Sequence, residues 1–111
     1  MLHRIRKIIE TTPYIVVCEW TNGEIRAISM EEKIKEWAAE PESVYKNLLD
    51  KSTFMKVNLD SESQTLFWSG LIKMKDTSGK LFDATLDIDP DVLYDLSIPV
   101  KGKRKEDNMA A

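Results

Sequence analysis

The segment from residue 66 to residue 88 constrains the fold most. In its second half, "LFDATLDI", apolar and polar residues alternate, which is the period of a strand with one buried face. The apolar set is Phe82, Ala84, Leu86 and Ile88. The first half, Leu66 to Asp76, is the expected partner strand. Thr77-Ser78-Gly79 suits a three-residue hairpin loop with Gly79 in the left-handed conformation. The sequence therefore predicts a long antiparallel hairpin.

The loop also fixes the register of this hairpin. If Asp76 faces Lys80, the pairs on the inner face are Met74 with Phe82, Ile72 with Ala84, and Trp68 with Ile88. On the outer face Lys73 opposes Asp83, an opposite-charge pair that stabilises neighbouring strands. A two-residue loop would mix apolar and polar residues on both faces, so we reject it.

A second hairpin is predicted near the N-terminus. The β-branched and aromatic run from Tyr14 to Trp20 is followed by Thr21-Asn22-Gly23-Glu24 and then by "IRAIS". An Asn-Gly pair between two such runs favours a type I′ turn, with Asn22 and Gly23 both at positive φ. Arg4 to Glu10 is the expected third strand, so that a three-stranded meander forms.

Helices are predicted on both sides of the central loop region. Ser29 and Glu32 match the S-x-x-E capping box, so we expect a helix to begin there. Apolar residues at helical spacing predict a bent helical pair over residues 30 to 49, interrupted at Pro41. They are Ile34, Trp37, Ala38, Val44, Tyr45, Leu48 and Leu49. Phe54, in a short turn after this pair, is expected to face the core.

Three aspartates at alternate positions could mark a site or the junction of two elements. As an EF-hand opening they fail, because Val92 stands where glycine is needed and Ile98 where a bidentate glutamate is needed. As a junction they fit: Asp87 on the outer face of the strand, Asp89 as helix N-cap, Pro90 at the first helical position and Asp91 in the first turn. We favour the junction.

Length and charge indicate one domain with a tail. The 111 residues allow a single α+β domain over residues 1–98, with two or three helices packed on one face of an antiparallel sheet. That domain holds 12 basic and 17 acidic residues, whereas residues 99–111 hold four basic and two acidic. We expect disorder from Ser97 onward. Because residues 1–9 lack the long apolar run of a signal peptide or membrane helix, we expect a cytoplasmic protein without membrane contact.

The sequence predicts no catalytic activity, metal or cofactor. Cys18 is the only cysteine, in an apolar run, and is expected to be buried and inert. His3 is the only histidine and is expected in a mobile N-terminal segment, and the four glycines form no phosphate-binding loop. Two alternatives stay open: a carboxylate-dependent enzyme using Asp87, Asp89 or Asp91, and nucleic-acid binding through the basic tail.

The tryptophans are either core residues or anchors of an interface. We favour the core for Trp20, Trp37 and Trp68, with Trp37 the weakest case because its helix is strongly charged. The residues predicted to form an interaction surface are Trp37, Lys73, Lys75 and Asp83.

Three segments resemble one bacterial family, known as domain of unknown function 2442. They are "WTNGEIRAIS", "YKNLLDKSTFMKVNLDSESQTLFWSG" and "LDIDPDVLYD", in the family's order over roughly residues 5 to 97. The matching positions in the second and third segments are Leu48, Asp50, Phe54, Val57, Trp68, Gly70, Asp87, Pro90, Leu93 and Tyr94. This chain departs from the pattern at Ser69, where the family has a proline, and by about fifteen extra residues before the acidic-proline motif.

The resemblance implies an α+β fold with no established activity. Genes of the family often neighbour that of another small protein, as in toxin-antitoxin pairs, and some relatives carry a helix-turn-helix domain for which these 111 residues leave no room. It therefore implies partner binding or regulation, the partner being the product of a neighbouring gene or a second copy. The extra residues form the outer part of the predicted hairpin, which is where we expect a recognition surface.

Overall fold

A computed structural model describes residues 2–100 of the chain as an α+β fold. Its seven strands are β1 (Ile5–Thr12), β2 (Ile15–Trp20), β3 (Ile25–Ser29), β4 (Asn58–Leu59), β5 (Leu66–Lys75), β6 (Leu81–Asp87) and β7 (Ser97–Pro99). Its helices are α1 (Glu31–Trp37), α2 (Lys51–Phe54) and α3 (Pro90–Leu96), with a 3₁₀ helix at Val44–Leu49. The strands form two antiparallel sheets, ordered β1-β2-β3-β7 and β4-β5-β6.

The first sheet confirms the predicted meander and extends it. β2 pairs with β1 on one side and with β3 on the other. Disorder from Ser97 onward is wrong for the first residues of that segment, because β7 pairs with β3 and the Val100 amide donates to the Ile25 carbonyl. Residues 101–111, the rest of the predicted tail, lie outside the described part.

The turn between β2 and β3 is not the predicted type I′ turn. Gly23 has φ +92°, but Asn22 does not have the positive φ that a type I′ turn requires. The Trp20 amide donates to Glu24 and the Gly23 amide donates to Trp20, so three residues form the loop. This is the hairpin in which a left-handed glycine follows an ordinary turn.

The first helix begins without the predicted capping box. Ser29 is the last residue of β3, the N-cap position is Met30, and no side chain caps the helix. Met30 is fully buried, and its amide donates to the Tyr14 carbonyl at 2.7 Å. Tertiary packing therefore sets this helix start, and Glu32 lies exposed on the first turn.

The second sheet contains the predicted long hairpin. The loop and its outer pairs are confirmed: the Asp76 amide donates to Lys80, and the strand pairs are Lys73 with Asp83, Met74 with Phe82, and Ile72 with Ala84. The pairing of Trp68 with Ile88 is wrong, because Trp68 pairs with Leu86. The register shifts between Trp68 and Ile72, where Gly70 has φ +75°.

The core lies between the two sheets and the helices. Trp20 and Trp68 are each 1% exposed, and the predicted core residue Phe54 is fully buried. The Trp68 Nε1 donates to the Phe54 carbonyl at 3.0 Å, which ties β5 to α2. The other large, fully buried side chains include Ile5, Ile28, Met30, Ile34, Leu48, Leu66 and Leu93.

Within residues 2–100, no helix is long and apolar enough to cross a membrane.

Candidate functional site

The outer half of the β5–β6 hairpin, residues 72–84, exposes apolar side chains beyond Ile72, the residue at which the half packs against the core. Met74 is 49% exposed and Phe82 is 46% exposed, and the two residues are paired across the strands. Ile72 and Ala84, the next pair toward the body, are half-buried. These four residues form a continuous apolar face, which we call the outer apolar face. An exposed apolar patch of this kind can serve as an interaction site when it is part of a larger contact.

Both edges of the outer half lack a strand partner within residues 2–100. β4 pairs only with Leu66 and Phe67, at the inner end of β5, and β6 is the last strand of its sheet. An unpaired strand edge presents a row of backbone donors and acceptors on which another strand can pair. The hairpin therefore offers an apolar face and two hydrogen-bonding edges at one place.

The opposite face of the hairpin carries charge. Lys73 forms an ion pair with Asp83, as the predicted register requires. Lys75 lies opposite Leu81, which is 59% exposed. Three of the four residues predicted for an interaction surface, Lys73, Lys75 and Asp83, thus lie together on this face.

Trp37, the fourth residue of that predicted surface, lies elsewhere. It is the last residue of α1, half-buried, with its ring centroid 5.0 Å from that of Tyr45 in the 3₁₀ helix. It packs against the edge of the core. Trp37 is therefore separate from the hairpin.

The tip of the hairpin is held by Asp76. Its Oδ1 accepts from the amides of Ser78 at 2.9 Å and Lys80 at 3.0 Å, and from the Ser78 hydroxyl at 2.6 Å. These bonds, with the Ser78 hydroxyl first, hold the pKa of Asp76 below its ordinary value. Gly79 has φ +86°, the left-handed conformation predicted for it. The tip is an ordered turn, which favours presentation of one defined surface.

The three aspartates take the places predicted for a strand-helix junction. Asp87 ends β6 and is exposed. Asp89 is the N-cap of α3, and its Oδ1 accepts from the Asp91 amide at 2.8 Å, with Pro90 next in the helix. No group of three His, Cys, Asp or Glu side chains in the described part is arranged to hold a metal ion.

His3 lies in a defined place, so the expectation of a mobile position for it is wrong. Its backbone amide donates to Asp91 Oδ1 at 2.9 Å, and its Nδ1 is 2.8 Å from the same oxygen. Its ring stacks on that of Tyr94 with a centroid distance of 3.7 Å. The two hydrogen bonds between His3 and Asp91 join positions 88 residues apart, which no local sequence pattern encodes.

Hydrogen bonds around Tyr94 tie α3 to the first sheet. The Tyr94 hydroxyl donates to Glu24, and Arg26 lies over the Tyr94 ring, 4.2 Å from its centroid. The bond from Tyr94 lowers the pKa of Glu24 and raises that of Tyr94 itself. The hydrogen bond from the His3 backbone N–H, and to a smaller extent that from the His3 ring, lowers the pKa of Asp91. This His3–Tyr94 cluster consists of His3, Glu24, Arg26, Asp91 and Tyr94, and it anchors the start of the chain.

Cys18 is the buried thiol that the sequence predicts. It is fully buried in β2, and burial raises its pKa to about 12. The thiolate is the reactive form, so this thiol is chemically quiet.

Comparison with known proteins finds no matching family model, no matching curated protein and no matching solved structure. The resemblance to the domain of unknown function 2442 therefore stays a prediction from the sequence.

Proposed function

We propose that this chain is a protein-binding or regulatory module whose partner docks on the outer half of the β5–β6 hairpin. The observation that most supports this is the exposure of Met74 and Phe82, which are paired across the strands. The alternation of apolar and polar residues in these strands predicts that the face holding Met74 and Phe82 is buried. Burying a side chain of this size from water contributes about 1.5–3 kcal/mol. Because Met74 and Phe82 are 49% and 46% exposed, a partner that covers them would gain about half of that contribution for each.

The charges and edges of the hairpin complete the proposed surface. Lys75 and Lys80 are exposed and have no ion pair among residues 2–100, whereas Lys73 is neutralised by Asp83. Charges near an apolar patch select the partner and steer its approach rather than add much affinity. We propose a partner that presents an apolar strand or groove with acidic residues at its rim.

The setting of this module is also part of the proposal. We place it in a bacterial cytoplasm, as the antitoxin-like member of a gene pair or as a homodimer, on the strength of the sequence resemblance. It has no catalytic role in this proposal.

Binding through the hairpin is tested by comparing matched surface variants. The tagged chain and the variants Phe82→Ser, Met74→Ser and Ile98→Ser are used to isolate partners from the native host, and retained proteins are identified by mass spectrometry. Ile98 is the control because it is 64% exposed and lies in β7, in the other sheet. Sedimentation of each purified chain measures self-association in parallel.

We expect the unmodified chain and Ile98→Ser to retain the same specific partner or to form the same dimer. Phe82→Ser and Met74→Ser should lose it, while all four chains keep the same circular dichroism spectrum. Equal retention by Phe82→Ser and Ile98→Ser would place the interface elsewhere. A monomer with no specific partner in every case would contradict the proposed function itself.

A further inference from the structure

A cavity of about 360 Å³ lies where the N-terminal segment meets the β2–β3 turn, away from the outer apolar face. It is lined by Leu2, His3, Arg4, Trp20, Thr21 and Asn22. A cavity of this volume is in the size range of small-molecule sites. The polar groups in its wall decide which chemistry could occupy it.

The carboxylates near this cavity are already paired. Asn22 Oδ1 accepts from the Glu24 amide at 2.9 Å, and its Nδ2 donates to Glu24 Oε1 at 2.6 Å. The Glu24 carboxylate also forms an ion pair with Arg26 at 3.0 Å. Asp91, behind His3, accepts two bonds from that residue. The nearby negative charges are therefore paired within the protein.

Two residues of the wall, Arg4 and Thr21, have donors without partners. Within residues 2–100, the guanidinium of Arg4 forms no ion pair or hydrogen bond, and the Thr21 hydroxyl forms no hydrogen bond. Trp20 Nε1 also lacks a hydrogen bond in the described part, but this nitrogen is buried and is not counted as a donor to a ligand. A guanidinium and an indole can only donate. A wall in which Arg4 and Thr21 have spare donors and the nearby carboxylates are paired is complementary to an anion.

We infer that this cavity binds a small organic anion, with a carboxylate or phosphate oxygen on the Arg4 guanidinium and the Thr21 hydroxyl. The planar guanidinium matches such oxyanions in a bidentate fashion. Leu2 and the indole of Trp20 supply an apolar wall for the remainder of the ligand. His3 is held by Asp91 and by its stack on Tyr94, so its ring forms a fixed side of the site.

Carboxylates also lie near Arg4. Arg4 also lines a second cavity, together with Asp87 and Asp89, and its charge helps to lower the pKa of Asp91. Neither Asp87 nor Asp89 forms an ion pair with Arg4 in the described structure. An oxyanion in the first cavity would give Arg4 the direct partner that it lacks.

The test is a nuclear magnetic resonance titration of the full chain with three probes. Benzoate and phenyl phosphate carry the anionic group on a ring, and benzyl alcohol carries the ring without the charge. The amides of Thr21 and Asn22 and the indole N–H of Trp20 are followed. The variants are Arg4→Gln and, as a matched control, Arg6→Gln. Arg6 lies two positions later, is exposed, and forms an ion pair with Glu19 at 3.4 Å.

We expect benzoate or phenyl phosphate to shift these three signals in a saturable way, and benzyl alcohol not to. Loss of a charged hydrogen bond should weaken binding about tenfold or more in Arg4→Gln and leave Arg6→Gln unchanged. The relative affinities of benzoate and phenyl phosphate then show which oxyanion the site prefers. The inference is overturned if neither anion shifts the signals, if benzyl alcohol binds equally well, or if Arg4→Gln binds as tightly as Arg6→Gln.

Discussion

Strand β6 alternates apolar and polar residues from Phe82 to Asp87, but the inner and outer halves of the β5–β6 hairpin have opposite surroundings. Leu86 is 6% exposed and Trp68 is 1% exposed, whereas Phe82 and Met74, on the same nominal face, are 46% and 49% exposed. Alternation therefore specifies that a strand forms and which side chains share a face. It does not specify how far along the strand the core reaches.

A bulge separates the two halves. Three residues of β5, centred on Gly70, face one residue of β6, Thr85, between the pairs Trp68–Leu86 and Ile72–Ala84. A shift of two residues keeps the apolar side chains on one face, since the side-chain period of a strand is two. A bulge also bends the strand and increases its twist. The change in exposure occurs at this bulge.

The largest effect should come from truncating the inner half. Leu86→Ala should lower the free energy of unfolding by about 2–5 kcal/mol, because it leaves a cavity in a packed core. Phe82→Ala removes a larger side chain from the same strand and face. It should nevertheless change the free energy of unfolding by less than about 0.5 kcal/mol, the usual range for an exposed site. Urea unfolding of both variants measures the difference. Similar losses would show that the outer half is part of the core.

The bulge itself should have an intermediate effect. Gly70→Ala places a Cβ at φ +75°, which costs about 1–2 kcal/mol. Beyond Gly70 and its two chain neighbours, no heavy atom lies within 4 Å of that Cβ, so the cost is conformational and does not come from contact with the rest of the fold. Ser69→Ala, one position earlier and also exposed, is the control and should be near neutral. Urea unfolding checks both, and equal stabilities would mean that the bulge does not constrain the hairpin.

Acid should affect the body and the hairpin tip differently. The pKa values of Asp91 and Asp76 are both lowered, so each carboxylate stabilises the fold above its ordinary pKa, and that contribution is lost as the pH falls through the lowered value. Bonds of Asp91 join distant segments, whereas those of Asp76 span two to four residues and can persist in the unfolded chain.

Asp91→Ala should therefore reduce stability at pH 7 and flatten its decline between pH 7 and pH 3 more than Asp76→Ala does. Unfolding by urea across that pH range measures both effects. Asp95→Ala, an exposed position in the same helix as Asp91, is the matched control. If Asp91→Ala follows the same pH profile as Asp95→Ala, the contact with His3 does not stabilise the fold.

The smallest effect should come from the charged pair of the outer half. Lys73 and Asp83 have side chains that are 64% and 56% exposed, so solvent screens their attraction. A double-mutant cycle with Lys73→Ala and Asp83→Ala should give a coupling of about 0.2–1 kcal/mol. The coupling should fall as salt rises. A coupling of several kcal/mol would mean that the outer half is desolvated in the folded chain.

Features that depend on neighbouring residues could be predicted from the sequence. The Asp76–Gly79 loop, the Lys73–Asp83 pair, the Asp89 cap with Pro90, and the meander all follow from turn chemistry and alternation. The prediction of a type I′ turn at Asn22 was wrong because an Asn-Gly pair leaves two loop lengths open, and the pairing of Glu19 with Ile25 corresponds to the three-residue loop. The capping box at Ser29 was wrong because strand pairing with β2 holds that residue.

The contacts of the candidate sites could not be predicted in the same way. His3 and Asp91 are 88 residues apart, and no periodicity relates them. β7 was missed because three residues give no alternation signal, and β3 provides the edge on which they pair. The sequence predicted that the surface lies on the hairpin. It could not predict that the outer apolar face is exposed, because that depends on where the core ends.

The most direct measurement is site-specific photo-cross-linking in the native host, with benzoylphenylalanine in place of Phe82 in one chain and of Ile98 in another. Both positions are exposed, and they lie in different sheets. If the outer half of the hairpin binds a protein, the probe at position 82 should give one cross-linked product of defined mass. For a homodimer, that mass is twice the mass of the chain. The probe at position 98 should not give it. The same product from both positions, or no product from position 82, would contradict the account.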